Sequence, residues 1–195
     1  MSRIGLTKEI ILQSAVELVD SIGTDKLTLK TLAEKLGVRS PSLYNHFNSL
    51  SDLHSALMLY GWKQLEYRVM QAAIGKSKDD AIKSMCVAYL EFSMEHIGLF
   101  SVMQSYNQHI SKETETATIG LIDTMLQVLS AYNLSEENKV HIIRVFRSFL
   151  QGYVYLVQCD GFGKTVSIKD SFNVGVDLFL KGLNMLEIKS KEKRK

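Results

Sequence analysis

The sequence predicts an all-α fold in which a small N-terminal helix-turn-helix domain is joined by a long helix to a larger helical domain. Apolar residues recur at helical spacing along most of the chain, and glycines or polar runs interrupt that pattern at intervals. The chain has one proline, and 46% of its residues are hydrophobic. This composition is typical of long helices around a real core, whereas disorder would need fewer apolar residues.

Two short helices joined by a tight turn are predicted over residues 28–47. The apolar residues of the first of them recur at helical spacing: Leu29, Leu32, Ala33 and Leu36. Thr28 can accept a hydrogen bond from the first turn, and Gly37 can end the helix in the left-handed conformation that glycine tolerates. Ser40 as N-cap and Pro41 at the first helical position then predict a second helix beginning near Pro41.

The second helix has two chemically different sides. Val38, Leu43 and Phe47 are expected to face the first helix. The other side carries short hydrogen-bonding groups, an aromatic ring and a cation: Arg39, Ser40, Ser42, Tyr44, Asn45 and His46. Such groups suit phosphates and base edges in a DNA major groove, which admits an α-helix. An ordinary corner of two helices has the same pattern, so the residues alone leave both interpretations open.

The rest of the chain is predicted to form helices without a flexible linker. A first helix is predicted over residues 7–22, with Thr7 as N-cap and Gly23 at its end, and a fourth continues from about residue 50 to 73. Further helices are predicted from about residue 79 to 97, over 99–108 and 113–132, from Ser135 to about 157, and over about 168–188. The expected division is a DNA-binding domain at 1–50, a helical domain at 51–188 and a solvated basic tail at 189–195.

Residues 7–53 resemble the tetracycline-repressor (TetR) family of bacterial transcription regulators. The most specific match is the string of Leu43, Tyr44, Asn45, His46 and Phe47. The resemblance implies an all-helical homodimer with an N-terminal DNA-binding domain and a larger domain for a small-molecule effector. It also implies that Thr28 and the polar side of the second helix contact DNA. One departure is Leu50, which stands where such sequences usually carry a lysine at the start of the fourth helix.

Two further sets of residues are assigned from helical pattern and resemblance. Mixed methionine, aromatic and isolated polar side chains on the middle helices are expected either to form core or to line an adaptable ligand pocket: Met85, Tyr89, Phe92, Met103, Tyr106, His109 and Met125. The last two long helices are apolar on more than one side, so they are expected to form the dimer contact, with these candidates: Phe146, Tyr153, Phe179 and Leu183.

The remaining patterns argue against several other classes of protein. No HExxH pair, glycine-rich phosphate loop or GxSxG elbow is present, so we expect no enzyme, no cofactor and no metal site. Cys86 and Cys159 match no metal or redox spacing and are expected to be small buried hydrophobes. The chain has no signal-peptide run and no apolar run near the ~20 residues of a membrane span, so a soluble cytoplasmic protein is expected.

The sequence therefore predicts a ligand-responsive transcription regulator, acting as a repressor that a small apolar or aromatic molecule releases from a pseudo-palindromic double-stranded operator. The net charge of +2 gives little long-range attraction to DNA, so steering depends on locally placed cations. Those cations are Arg3, Lys8, Lys26, Lys30, Lys35 and Arg39. The alternative is a helical ligand-binding or protein-interaction module that does not bind DNA.

Overall fold

The computed structural model describes residues 5–105 and 112–192, except for the side chains of 113–115 and 188–192. The predicted all-α fold is confirmed, and the described residues contain no strand. The α-helices are α1 (Lys8–Ile22), α2 (Leu29–Leu36), α3 (Leu50–Ala73), α4 (Lys78–Glu95), α5 (Ile97–Gln104), α6 (Lys112–Leu129), α7 (Glu136–Gln158) and α8 (Ile168–Glu192). Two short 3-10 helices, Thr24–Lys26 and Ser40–Asn45, flank α2.

The chain forms two compact units that do not follow its order. The first contains Met1–Gln64 and Glu95–Thr118, and the second contains Leu65–Met94 and Ile119–Lys195. Helices α3 and α6 therefore contribute residues to both units. The division expected from the sequence, after residue 50, stays a prediction, and the backbone of 189–192 continues α8.

Local hydrogen bonds fix the helix starts, as the sequence predicts. Thr7 Oγ1 accepts the Ile10 N–H at 3.3 Å, and Ser135 Oγ accepts the Asn138 N–H at 3.2 Å. Gly37 adopts the left-handed conformation, with φ of 64° and ψ of 30°, and ends α2. Each device satisfies backbone groups that have no partner within the helix.

The second helix of the predicted motif differs from the expectation in type and in cap. Ser40–Asn45 is a 3-10 helix whose N-cap is Arg39, and no side chain caps it. The N–H groups of Ser42 and His46 donate to carbonyls three residues earlier, at 2.9 Å each. The predicted Ser40 cap is therefore wrong. A segment of six residues is too short for a long ladder of α-helical bonds, and 3-10 bonds are common in such short pieces.

The cysteines differ in their surroundings. Cys86 is buried, as expected, and its Sγ donates to the Ile82 carbonyl at 2.7 Å. Burial raises the pKa of the Cys86 thiol. The expected burial of Cys159 is wrong: this residue is exposed because it forms the C-cap of α7, where the chain leaves the helix for an exposed loop.

A polar cluster ties three parts of the second unit together. The Tyr132 hydroxyl donates to Asp79 Oδ1 at 2.5 Å, and Asn184 Nδ2 donates to Asp79 Oδ2 at 2.8 Å. Glu187, which is buried, accepts the Asn133 N–H at 3.1 Å and lies 3.4 Å from Lys78 Nζ. The start of α4, the turn after α6 and the body of α8 are thus joined by paired polar groups, as burial requires.

In the first unit, α5 packs on the end of α1 through backbone contact. The Leu99 N–H donates to Asp20 Oδ1 at 2.9 Å, and His96 Nδ1 lies 2.8 Å from Asp20 Oδ2. His96 is the N-cap of α5 but supplies no side-chain cap, so the carboxylate of α1 takes that role. Gly98 is buried, and a Cβ there would overlap the backbone carbonyl of Val19.

We predict that Gly98→Ala lowers the free energy of unfolding by at least ~1–3 kcal/mol, because the added methyl group meets a backbone atom that cannot rotate away. Chemical denaturation measures the change. Ser101→Ala, at an exposed position of the same helix, is the matched control and should stay within about 0.5 kcal/mol of the parent. Equal stabilities of the two variants would contradict the packing described for Gly98.

Candidate nucleic-acid interface and effector site

The 3-10 helix Ser40–Asn45 presents a polar surface held in place by two apolar anchors. Leu43 is 0% exposed and Phe47 is 1% exposed, whereas Tyr44 is 56% exposed. We call the following residues the recognition surface: Arg39, Ser40, Ser42, Tyr44, Asn45 and His46. Arg39, Tyr44 and Asn45 are exposed, and the other three are half-buried. The predicted division into a buried side and an exposed side is confirmed for Leu43 and Phe47 and for the three exposed residues, whereas Val38 is half-buried rather than buried.

Thr28 lies at the start of α2, and its side chain is engaged in a helix cap. The Thr31 N–H donates to Thr28 Oγ1 at 3.0 Å, and the Thr28 N–H donates to Thr31 Oγ1 at 3.0 Å. This reciprocal arrangement satisfies two backbone donors at once. Thr28 is exposed, so a DNA contact through it stays a prediction, but its observed contacts fix the start of α2.

Two of the cations expected to steer DNA make contacts within the chain. Lys8 Nζ lies over the Phe47 ring, 5.1 Å from its centroid, and Lys35 Nζ lies 3.0 Å from Glu17 Oε2. Arg39 is exposed at the edge of the recognition surface, and Lys26 and Lys30 are exposed nearby in sequence. Arg3 lies outside the described residues. Positive charge at this surface is therefore modest, in keeping with the small net charge of the chain.

The start of α3 is capped by its own side chains. Ser49 Oγ accepts the Asp52 N–H at 3.1 Å, and Asp52 Oδ2 accepts the Asn48 N–H at 3.0 Å. Leu50, the first residue of the helix, is half-buried. A phosphate approaching this helix end would meet the Asp52 carboxylate, so the N-terminal dipole is partly compensated there.

The residues expected to line a ligand pocket are buried wherever the structure describes them. Met85, Tyr89 and Phe92 lie on α4 and Met125 on α6, in the second unit, with exposures of 3–7%. Met103, on α5, is 0% exposed and belongs to the first unit. Burial also raises the pKa of Tyr89. Core and pocket lining both require burial, so the assignment stays a prediction. Tyr106 and His109 lie outside the described residues.

The second unit has a cavity of about 290 Å³ that the sequence did not predict. It lies where α3 ends, α4 begins and α6 ends, and its lining includes Met70, Ile74, Lys76, Lys78, Gln127 and Val128. The described members of the predicted pocket set do not line it. The sequence does carry a signal for this cavity. Met70, in the last turn of α3, and Ile74, just after the helix, are large apolar residues that are exposed, so the apolar pattern of α3 continues onto its solvent-facing side.

Three of the four residues expected at a dimer contact make contacts between α7 and α8 of the same chain, and the fourth, Leu183, is buried. Phe146 and Phe179 are in ring contact, with centroids 4.5 Å apart, and Tyr153 donates its hydroxyl to the Ile168 carbonyl at 2.6 Å. Phe146 is 3% exposed and Leu183 is 2% exposed. The placement of Phe146 and Leu183 on a dimer surface is therefore wrong, because their helical spacing puts them on the side that packs within the chain.

A different set of side chains is exposed on these two helices. Large apolar residues are 59–68% exposed at the following positions: Val145, Tyr155, Val174, Leu178 and Met185. Gly152 lies seven residues after Val145 on α7, and Gly182 lies four residues after Leu178 on α8, so each glycine shares a helix side with an exposed apolar residue. A Cβ at either glycine would meet nothing within 4 Å in the chain. Helices α7 and α8 thus leave an apolar surface uncovered, with small residues within it.

The described residues contain no helix both long and apolar enough to cross a membrane. Within the same part of the chain, no group of three histidine, cysteine or acidic side chains is placed to hold a metal ion.

The chain begins with a helix-turn-helix that has an exposed polar side, and a larger helical part follows it. This is the architecture of the helix-turn-helix class of transcription regulators. The family model "Bacterial regulatory proteins, tetR family" matches residues 11–57, and "Tetracyclin repressor-like, C-terminal domain" matches residues 82–179. The chain belongs to the TetR family of bacterial transcription regulators. Its N-terminal part is the DNA-binding domain of that family, and its C-terminal part is the ligand-binding domain.

Individual relatives agree with this assignment. The HTH-type transcriptional regulator YobS of Bacillus subtilis is 30% identical over 181 residues, which cover 93% of this chain and 94% of the relative. A structure from Rhodococcus sp. RHA1, at 20% identity, covers 92% of this chain and 96% of its own with a TM-score of 0.79. The structure of TetR from Acinetobacter baumannii AYE, at 19% identity, covers 94% and 99% with a TM-score of 0.74. These two likenesses show the fold alone.

We predict that Tyr44→Ala weakens DNA binding by ~1–3 kcal/mol while leaving the free energy of unfolding within about 0.5 kcal/mol, because the ring is exposed and packs little. Leu43→Ala is the contrasting variant: it should lose ~2–5 kcal/mol of stability, because Leu43 is fully buried. Fluorescence polarisation measures the first change and chemical denaturation the second. Unchanged affinity in a stable Tyr44→Ala protein would remove Tyr44 from the interface.

We also predict that Leu50→Lys strengthens DNA binding and adds ~0.9 per subunit to the magnitude of the slope of log K against log salt, with unchanged sequence preference. The reason is that the half-buried Leu50 begins α3, where a cation can reach phosphate. Leu50→Gln, of similar length and without charge, is the control. A salt slope equal to that of the control, with equal melting temperatures, would show that position 50 does not face phosphate.

Proposed function

We propose that this chain acts in the cytoplasm as a homodimeric repressor, binds a pseudo-palindromic operator and is released from it by a small apolar or aromatic molecule. The observation that carries the DNA contact is the recognition surface. Arg39, Tyr44 and Asn45 are exposed together on it, while Leu43 and Phe47 fix the segment from beneath. A rigid support of this kind is what precise contact with base edges requires.

The operator contact would involve one recognition surface from each copy. In dimeric helix-turn-helix proteins, successive half-sites lie about one turn of DNA apart, ~34–36 Å. Tyr44, Asn45 and Arg39 are the side chains with the greatest freedom to reach base edges and phosphates, because they are exposed. Ser40, Ser42 and His46, which are half-buried, suit closer contacts with the backbone of the DNA.

The exposed apolar surface of α7 and α8 supports a homodimer. On α7, Val145, Gly152 and Tyr155 recur at intervals of seven and three residues, and on α8 Leu178 and Met185 are seven apart. This is the spacing at which a helix keeps one seam toward a partner. The open space over Gly152 and Gly182 would let a second pair of helices approach closely.

Release requires that the effector bind more tightly to one conformation of the dimer than to the DNA-bound one. In that conformation the distance between the two recognition surfaces no longer matches the distance between the half-sites. Coupling of ~1–3 kcal/mol between the two sites lowers DNA affinity about 5- to 150-fold, which is sufficient for induction. Helix α3 is an element through which the two units are covalently continuous, since it begins in the first and ends in the second.

A second candidate, a ligand-binding or interaction module that does not bind DNA, is favoured by the low net charge and by the engagement of Lys8 and Lys35 within the chain. A fluorescence polarisation titration against DNA fragments flanking its own gene separates the two. Saturable, salt-dependent binding to one fragment, lost in Tyr44→Ala, supports the repressor. Equal binding to every fragment, or none, supports the module.

We predict that Leu178→Glu converts the dimer to a folded monomer and weakens operator binding by a factor of roughly 10² or more, because a buried carboxylate disfavours the apolar contact and one half-site loses the avidity of the pair. Light scattering and polarisation measure the two effects. Val166→Glu, at an equally exposed valine outside α7 and α8, is the matched control. A wild-type chain that is monomeric at micromolar concentration would overturn the assignment.

A further inference from the structure

The cavity where α3 ends, α4 begins and α6 ends has an apolar wall and a cationic edge. Its volume of about 290 Å³ is close to the lower end of the range for small-molecule sites, ~300–1,000 Å³. The apolar wall is formed by Met70, Ala73, Ile74 and Val128, and every lining residue belongs to the second unit. The described residues that the sequence assigned to the effector pocket do not line this cavity, so the proposed function does not explain it.

The apolar wall is exposed to solvent and continues along α3 beyond the cavity. Met70 is 42% exposed and Ile74, directly after the helix, is 64% exposed. Tyr67, which is 59% exposed, lies three residues before Met70 and so shares a side of α3 with it. The three side chains form an elongated apolar strip. Covering them would remove apolar surface from water, which favours the binding of a flexible apolar chain that can lie along the strip.

Two lysines, Lys76 and Lys78, lie at the edge of the cavity and differ in how their charges are compensated. Lys78 Nζ lies 3.4 Å from each carboxylate oxygen of the buried Glu187, so its charge has an opposite partner. Lys76 is exposed, and its Nζ donates to the Ala72 carbonyl at 3.0 Å. That carbonyl is uncharged, so the contact leaves the lysine charge uncompensated and leaves two of its three N–H donors for a ligand. The edge of the cavity therefore suits a single negative charge.

We propose that this cavity is a ligand site for an unbranched alkyl monocarboxylate, whose carboxylate binds Lys76 and whose chain lies against Met70, Ile74 and Val128. The inference goes beyond the proposed repressor, because it requires neither DNA binding nor release by an effector. A second negative charge on the ligand is disfavoured, since it would lie against the apolar wall or beside Glu187.

Isothermal titration calorimetry on the full chain tests the proposal with four probes: hexanoate, octanoate, 1-octanol and suberate, the dicarboxylate of eight carbons. Octanoate should bind roughly four- to fifteenfold more tightly than hexanoate, because its two further CH₂ groups are partly or fully buried. It should bind roughly three- to tenfold more tightly than 1-octanol, which cannot form a charged hydrogen bond with lysine. Suberate should bind roughly fivefold or more weakly than octanoate, because its second carboxylate would meet apolar side chains.

Two variants separate the contribution of the charge from that of the apolar wall. Lys76→Gln should bind octanoate and 1-octanol equally, whereas the control Lys164→Gln, at an exposed lysine of the same unit outside the cavity, should keep the preference for octanoate. Met70→Gln should weaken the binding of both probes by a similar factor, roughly three- to tenfold. Met94→Gln is its control, because Met94 is 43% exposed, lies in the same unit and does not line the cavity.

The four substitutions are at exposed positions, so their melting temperatures should match that of the parent protein. Lys78 is left unchanged, because its removal would deprive the buried Glu187 of its charge partner. The proposal is overturned if octanoate fails to bind at millimolar concentration, if the parent binds 1-octanol as tightly as octanoate, or if Lys76→Gln keeps the preference. It is also overturned if Met70→Gln binds both probes as tightly as the parent does.

Discussion

The two oxygens of the Asp20 carboxylate hold the beginning of α5 against the end of α1. One accepts the Leu99 N–H and the other lies within hydrogen-bond distance of His96. Because Gly98 has no side chain, the two backbones touch, and the helix of eight residues gains a cap that its own sequence does not supply. A helix this short is marginal by itself, so its position depends on this contact and on burial of Leu99 and Met103.

The recognition surface depends on a different constraint. Ser40–Asn45 has few hydrogen bonds of its own, and it keeps its place because Leu43 and Phe47 are inserted into the small core that α1 and α2 also build. Specific DNA contact and stability are thus divided between neighbouring residues. Because Leu43 and Phe47 are buried in the core, Tyr44 and Asn45 face outward and are available to DNA.

Much of the fold was predictable because it rests on local chemistry. The caps at Thr7, Thr28 and Ser135 and the left-handed Gly37 each depend on residues within a few positions of one another. The tie between Asp20 and α5 was not predictable, because 79 positions separate Asp20 from Leu99. The same holds at the candidate sites. Helical spacing identified the apolar residues of α7 and α8, but only the packed structure shows which side of each helix remains uncovered.

The two thiols of this protein differ in their accessibility to labelling reagents. Cys86 is buried and its thiol is held protonated, while Cys159 is exposed where α7 ends. A thiol-directed label applied to the folded, unmodified chain should therefore react at a single defined position. In a symmetric pair of chains, that position would occur twice. A spin label or a fluorophore attached there would report the distance between the C-terminal ends of the two α7 helices, before and after an effector or an operator is added. This measurement needs no engineered residue.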